Sequence, residues 1–287
     1  MGREFCFSLA CLSLVLTTNG QTMAGIILDF RADDPALAYG SVPAWQDLAV
    51  ADGAQNATPL GTGPIKTTTI INGFLKDVVR FTGGSVGTPL VSLTQLPIAG
   101  GSIFLVMKST DTGGSNRIIG WEDASHGANG VALLTNYGGF GFDAVFRQSG
   151  TVGDIADISP NSDYEIIAMT WGASGSYFSR MDRFGNTTFE SHNSSITAVT
   201  SIGLNLHIGS SGTPDRDGKW GGDLLELTLY DEQLDAVGVA GVLNPLNNYW
   251  FQGGTAAVPE PSTLIIWSLI GGIFGVTALR KRTTASA

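Results

Sequence analysis

Few stretches of the sequence hold chemically useful residue types at a spacing that could use them. Asp215-Arg216-Asp217-Gly218 places two carboxylates in one short polar loop, the oxygen donors that calcium takes. Asp29, Asp47 and Asp77 could add ligands from elsewhere in the chain. An EF-hand loop is excluded, because Thr213 and Leu224 stand where its further acids would have to be. Gly83-Gly84-Ser85-Val86-Gly87 has the form of a hydrolase nucleophile elbow, but Thr88-Pro89 and a β-branched stretch follow instead of the helix that device requires. It reads as a turn. Glu226 is a lone acid on its strand, and Glu122 and Asp123 would point to opposite faces of an extended segment. Hydrolysis of a glycosidic bond usually needs two carboxylates flanking it at about 5–10 Å, and no string supplies them. His126, His192 and His207 are too scattered for a zinc site.

Aromatic rings are the other chemistry on offer. Tyr39, Trp45, Trp121, Tyr137, Trp171, Tyr177 and Trp220 are candidate platforms on which the CH-rich face of a sugar could stack. Trp121 and Trp220 border Gly-rich loops and form the preferred exposed pair. Trp171 ends an apolar strand and belongs to the core.

Strands must carry these groups. Gly25 to Arg31, Asp77 to Thr82, Ser102 to Lys108, Gly139 to Phe146, Tyr164 to Trp171, Asn205 to Gly209 and Asp223 to Tyr230 are short and β-rich, and Gly, Asn, Asp and Ser clusters separate them. In the last, Leu225, Leu227 and Leu229 alternate with Leu224, Glu226, Thr228 and Tyr230, which predicts one buried and one part-exposed face. A single helix is expected over Asp235 to Leu243, capped by Asp235 and stopped by Pro245. The fold class that follows is all-β, an antiparallel two-sheet sandwich with a short helix near its end.

With 43% hydrophobic residues the chain can build a core. It carries 15 cations and 25 anions; without Arg3, Arg280, Lys281, Arg282, Glu4 and Glu260, 11 and 23 remain, a net charge of about −12. That balance disfavours nucleic acid and anionic headgroups, which need basic clusters. It suits a solvated surface, divalent cations or neutral sugars.

Both ends read as export signals. Arg3 precedes the apolar stretch Phe5 to Leu16, and Thr22-Met23-Ala24 offers small residues to a signal peptidase, with cleavage expected after Ala24. Cys6 and Cys11 lie within this leader, so the mature chain has no thiol. At the other end Val258-Pro259-Glu260-Pro261 precedes a 16-residue apolar run, Leu264 to Leu279, and then Arg280-Lys281-Arg282. The charge-free stretch between Pro261 and Arg280 has 18 residues, about 27 Å as a helix against a hydrocarbon core of about 30 Å. A transmembrane helix over about 262–279 is expected, with the cations on the cytoplasmic side.

The three-part order of that tail, from Val258 to Arg282, resembles the PEP-CTERM sorting signal of Gram-negative bacteria that secrete exopolysaccharide. The resemblance implies an exosortase-type membrane protease as partner, a transient stay in the inner membrane, and delivery to the cell surface or extracellular matrix. A second resemblance runs through residues 25–254. Ile27-Leu28-Asp29-Phe30-Arg31, Trp45-Gln46-Asp47, Val79-Arg80-Phe81-Thr82-Gly83, Ser102-Ile103-Phe104-Leu105-Val106 and Trp220-Gly221-Gly222-Asp223-Leu224-Leu225-Glu226-Leu227 are similar to signature strands of laminin G-like domains in the concanavalin A-like lectin/glucanase superfamily. It implies one jelly-roll domain between a leader (1–24) and a sorting segment (255–287). Members of that family bind sugars, bind proteins or hydrolyse polysaccharide, and the glucanases carry a Glu-x-Asp-x-Glu string that is missing here. The expectation is a non-catalytic exported protein that binds extracellular polysaccharide, with calcium at Asp215 and Asp217 as its one candidate ion. A protein-binding adhesion module and a polysaccharide hydrolase are the alternatives.

Overall fold

The structure is a computed structural model that describes residues 25–49, 55–83, 89–94, 99–111, 116–122, 130–135, 141–148, 151–157, 162–194, 205–210 and 218–253. The expected leader, the sorting segment, and the calcium candidates Asp215 and Asp217 lie outside them, as do Ser85, His126 and Tyr137. No helix among the described residues is long and apolar enough to cross a membrane.

Among the described residues, seventeen strands and one helix follow in chain order: β1 (Ile26–Arg31), β2 (Gly40–Ser41), β3 (Thr58–Pro59), β4 (Ile65–Ile71), β5 (Phe74–Phe81), β6 (Leu90–Ser92), β7 (Gly101–Ser109), β8 (Asn116–Glu122), β9 (Gly130–Thr135), β10 (Phe142–Gln148), β11 (Thr151–Asp157), β12 (Glu165–Gly172), β13 (Gly175–Asp182), β14 (Thr187–Asn193), β15 (Leu206–Ile208), β16 (Gly218–Lys219), β17 (Gly222–Tyr230) and α1 (Ala236–Phe251). The first sheet has the order β14-β13-β12-β7-β17-β5-β4-β2, with β1 also on β17. The second has the order β11-β10-β9-β8-β15-β6-β3. Pairing is antiparallel except for the two-residue contact of β16 with β8.

The two sheets pack face to face on an apolar layer that takes alternate residues from each strand. Leu28 and Phe30 enter it from β1, Leu105 and Met107 from β7, Leu133 from β9 and Ile167 from β12. Trp45 and Phe30 stack inside it with centroids 5.5 Å apart. A second layer lies on the outer face of the first sheet. There Val239, Val242, Leu246, Trp250 and Phe251 of α1 cover Phe104, Val106, Ile166, Ala168 and Leu225, each large side chain contributing about 1.5–3 kcal/mol by its burial.

That second layer corrects the expectation for β17. All nine of its residues are buried, because α1 shields the face that alternation alone would leave half open. The alternation also slips. The pairing of β17 with β7 shifts between Leu224 and Glu226, so Leu224, Leu227 and Leu229 face the inter-sheet core while Leu225 faces the helix. The same bulge marks a change of partner: Gly222 to Leu224 pair with β5, and Glu226 to Tyr230 pair with β1.

Asp235 caps α1 as expected, its Oδ1 accepting the Gly238 amide at 2.8 Å. Pro245, however, lies inside the helix, which runs on to Phe251. A proline lacks the amide for the helical hydrogen bond and its ring crowds the carbonyl four positions back, here that of Gly241. Burial of Leu246, Trp250 and Phe251 then holds the last turns against the lost hydrogen bond.

Candidate binding cleft

The preferred ring pair is not at the surface. Trp121 and Trp220 are both fully buried. Trp121 Nε1 donates to the Thr94 carbonyl at 2.9 Å, Trp220 Nε1 to Ser109 Oγ at 3.1 Å, and the Trp220 ring lies 5.4 Å from that of Phe81. The neighbouring glycines make room for the indoles. A Cβ on Gly222 would stand 2.2 Å from the Trp220 ring, and one on Gly101 would stand 2.3 Å from the ring of Trp171, its cross-strand partner. Trp45 and Trp171 are core as well. Tyr39 is exposed, but its hydroxyl donates to Asp77 Oδ1 at 2.7 Å and the Lys66 ammonium sits 5.1 Å from its ring centre.

Tyr177, another of the candidate platforms, borders an open cleft of about 240 Å³ at the N-terminal end of α1. Its floor is one cross-strand row on the outer face of the first sheet, in which Thr170 of β12 pairs with Tyr177 of β13 and Tyr177 with His192 of β14. Its wall is the segment from Gln233 to Ala236 that leads into the helix. Gln233 ties wall to floor: its Oε1 accepts the Ser174 amide at 3.1 Å and its Nε2 donates to the Gly175 carbonyl at 2.7 Å. His192 Nε2 bonds the Ser174 carbonyl at 2.7 Å. The β12–β13 turn is built around Gly175, whose φ of +97° and a Cβ position 2.6 Å from the Asn193 carbonyl oxygen exclude a side chain. Tyr177 donates its hydroxyl to Glu190, and burial together with that bond pushes its pKa up to about 12. The cleft is thus lined by a phenol ring, an imidazole, a threonine hydroxyl and the Asp235 carboxylate around a small volume, the Gln233 amide being engaged with the β12–β13 turn. Such a set recognises a polar ring by stacking and hydrogen bonds. Glu190, exposed on β14, is engaged with Tyr177, and Asp235 is engaged at the helix cap. His192 carried no signal in the sequence. Its partnership with Tyr177 needs the register of the β13–β14 hairpin.

Acids do meet elsewhere, at the fork where β17 changes partner. Arg31 is the direct cross-strand neighbour of Glu226, and Asp29 lies two residues earlier on β1. Burial pushes the Asp29 carboxyl up to about 8, with Glu226, Asp47 and Asp33 adding to the rise and Arg31 opposing it. Glu226 is raised too, first by burial. Glu226 is closed off, however. Trp250 Nε1 donates to its Oε2 at 2.6 Å and Thr228 Oγ1 to its Oε1 at 3.1 Å, so the lone strand acid is a satisfied buried group beneath α1. Arg31 pairs with Asp33 at 3.1 Å and stacks on the Tyr249 ring at 4.7 Å. These contacts fasten the helix to the sheet.

Of the further calcium candidates among the described residues, Asp29 is the carboxyl beside Glu226 described above, and the other two are occupied. Asp47 accepts the amides of Asp29, Ala49 and Gln55, and so shapes its own loop. Asp77 takes the Tyr39 hydroxyl and the Lys66 ammonium, the latter at 3.1 Å. Among the described residues, no three His, Cys, Asp or Glu side chains gather in a way that could hold a metal ion.

No protein-family model matches the chain, and no curated protein matches it. Solved structures do. An arabinofuranosidase complexed with arabinofuranosyl-α-1,2-xylobiose superposes with a TM-score of 0.51 at 11% identity, over 71% of this chain and 50% of that one. A mutant α-L-arabinofuranosidase soaked with 4-nitrophenyl α-L-arabinofuranoside gives the same values. The likeness is one of fold. It agrees with the two antiparallel sheets described above, and this chain spans about half the length of those enzymes. The CBM40 of the Ruminococcus gnavus IT-sialidase has a TM-score of 0.41 at 13% identity over 57% of this chain and 93% of that one.

Proposed function

We propose that the chain is a non-catalytic, exported glycan-binding protein of concanavalin A-like jelly-roll type, and that the cleft between Tyr177, His192 and Gln233 holds a single sugar residue. The observation that carries this reading is the Thr170–Tyr177–His192 row facing the Gln233–Asp235 wall. At about 240 Å³ the cleft falls just short of the roughly 300 Å³ at which drug-sized sites begin, which suits one terminal ring rather than a buried chain. A net charge of about −12 on the sandwich favours neutral sugars over acidic ones. Export belongs to the same reading: a signal peptidase removes residues 1–24, and an exosortase-type protease acts at Val258-Pro259-Glu260-Pro261 to release the protein to the cell surface or an exopolysaccharide matrix.

The test is a glycan array probed with residues 25–254, with and without calcium, so that a contribution of Asp215 and Asp217 is read at the same time. Arabinofuranosyl and xylose-containing oligosaccharides are the first probes, since they are named in the ligands of the structurally similar enzymes. Tyr177→Ala should weaken binding by about tenfold or more, the scale of about 1.4 kcal/mol lost from a stacking contact. No binding under either condition, or a Tyr177→Ala protein that binds as well as the parent, sinks the reading.

The fold likeness to arabinofuranosidases favours one alternative, a hydrolase. It would need Glu226 or Asp29 to reach a substrate, and Trp250 covers the first. Release of free sugar from the same oligosaccharides, abolished by Glu226→Gln, would establish it.

A further inference from the structure

Two turns meet the end of α1 that is remote from the cleft. The β4–β5 turn at Asn72–Gly73 and the β13–β14 turn at Asp182–Asn186 are stitched to the helix terminus by Asn72, whose Nδ2 donates to the carbonyls of Arg183 and Phe251 at 3.2 and 3.1 Å. Gln252 Nε2 adds a bond to the Arg183 carbonyl at 2.9 Å. The Phe74 ring lies against Gly253, 2.5 Å from where a Cβ there would stand. Around this junction large apolar side chains project into solvent: Ile70 at 71% exposure, Leu75 at 69%, Phe184 at 64% and Phe74 at 44%. Ile70 and Leu75 are direct partners across the hairpin, and the Arg183 guanidinium sits 5.0 Å from the Phe184 ring centre. Single exposed apolar residues are ordinary on any protein, but a gathered set marks a contact surface.

We propose that this junction is a foot that dips into the surface of a lipid bilayer beside the chain's own membrane anchor, as long as the tether between them is uncut. The proposal rests on reading Leu264 to Leu279 as a membrane span. The chain leaves the foot at Gly253, and ten residues, 254–263, separate it from that run. Fully extended they reach about 35 Å, and Pro259 and Pro261 stiffen the path. A tether of that length holds the foot within about 35 Å of any bilayer the run enters, at a high effective concentration. The side chains fit that occupant, since aromatic rings and a guanidinium on an aliphatic stem are the groups that settle at the boundary of headgroups and acyl chains. The acidic charge of the sandwich gives no electrostatic help with anionic lipid, so contact depends on apolar insertion and changes little with salt. The cleft opens at the other end of the 16-residue helix, about 24 Å along its axis. A foot on the membrane turns the cleft outward.

Residues 25–287 contain no cysteine, so single thiols can be introduced and coupled to an environment-sensitive fluorophore. The protein is reconstituted into phosphatidylethanolamine/phosphatidylglycerol vesicles that carry a lipid-borne quencher. Probes go at Leu75→Cys and Phe184→Cys in the foot, at Val237→Cys beside the cleft, and at Ser268→Cys inside the run. Quenching at Ser268, Leu75 and Phe184, with at least about twofold less at Val237, is the expected result. Quenching at Ser268 without quenching at Leu75 and Phe184 overturns the foot and leaves the span. Equal quenching at Val237 also overturns the foot, because the body then lies on the membrane without this orientation. Absence of quenching at Ser268 overturns the span and the foot with it.

Discussion

Burial holds a proton on the Asp29 carboxyl up to about pH 8, whereas the unfolded chain releases it near the ordinary aspartate value of 3.8. A carboxyl whose folded pKa is raised contributes stability that is complete below the unfolded value and is lost as pH climbs through the folded one. Glu226, raised in the same direction, adds to the trend. Thermal stability should therefore fall between pH 4.5 and 8, and Asp29→Asn should flatten that fall and melt higher than the parent at pH 8. Each unit of separation is worth about 1.4 kcal/mol, so even part of the shift exceeds the roughly 0.5 kcal/mol of an ordinary surface substitution. Melts at the two pH values read the effect, and parallel slopes for parent and variant would refute it. The sequence shows Asp29 and Glu226 but not their meeting, which depends on β1 pairing with a strand about 200 positions away. The indoles were misread for a related reason. A glycine beside a tryptophan has two meanings, an open loop or space for the ring, and only the cross-strand partner decides between them. Gly101 opposite Trp171 shows the second meaning.

The helix α1 joins the two proposed sites, since its first turn walls the cleft and its last touches the foot. Its start was legible, because Asp235 supplies a capping oxygen just where the apolar period begins. Its end was not, because the cost of a proline inside a helix is outweighed here by tertiary burial beyond it, of Leu246, Trp250 and Phe251, which the local pattern does not show. The strands show the same division. Alternating or continuous apolar runs exposed β1, β5, β7, β10, β12, β15 and β17, whereas β4 is rich in threonine and the exposed edge strand β14 has no buried residue to mark it. The turn at Asn72-Gly73, with positive φ at both positions, is the hairpin signal that would have revealed β4. Asp235 has two roles that substitution can separate. Asp235→Ala removes the cap and should cost about 1 kcal/mol, while Asp235→Ser keeps a capping oxygen and should cost only a few tenths. Asp235→Ser also removes the carboxylate from the cleft, so denaturant titration and glycan binding together distinguish a structural from a recognising carboxylate. Loss of binding in both variants with loss of stability only in Asp235→Ala is the expected pattern.

In the whole molecule, stability is graded from the centre of the first sheet to its rim, and the cleft lies at the rim. β17 is flanked by β7 on one side and by β5 and β1 on the other, with apolar layers above and below. Its amides can exchange with solvent only when the fold opens as a unit. β14 pairs on one side with β13 and, among the described residues, leaves its other edge without a strand in the sheet order, and four of its seven residues are exposed. Local opening should suffice there. Hydrogen exchange should therefore find the amides of Leu227 and Leu229 protected to the global limit and those of Thr187 to Asn193 exchanging at least about a hundredfold faster, a gap of about 3 kcal/mol. The gradient has a consequence for binding. His192 of this edge strand and Tyr177 of its neighbour form the floor on which the sugar is proposed to rest, so a bound ligand must hold β14 closed while leaving the centre unaltered. Adding a ligand found on the array should slow exchange across β13 and β14 and leave β17 unchanged. Protection appearing instead in the second sheet would move the site to the other face of the sandwich.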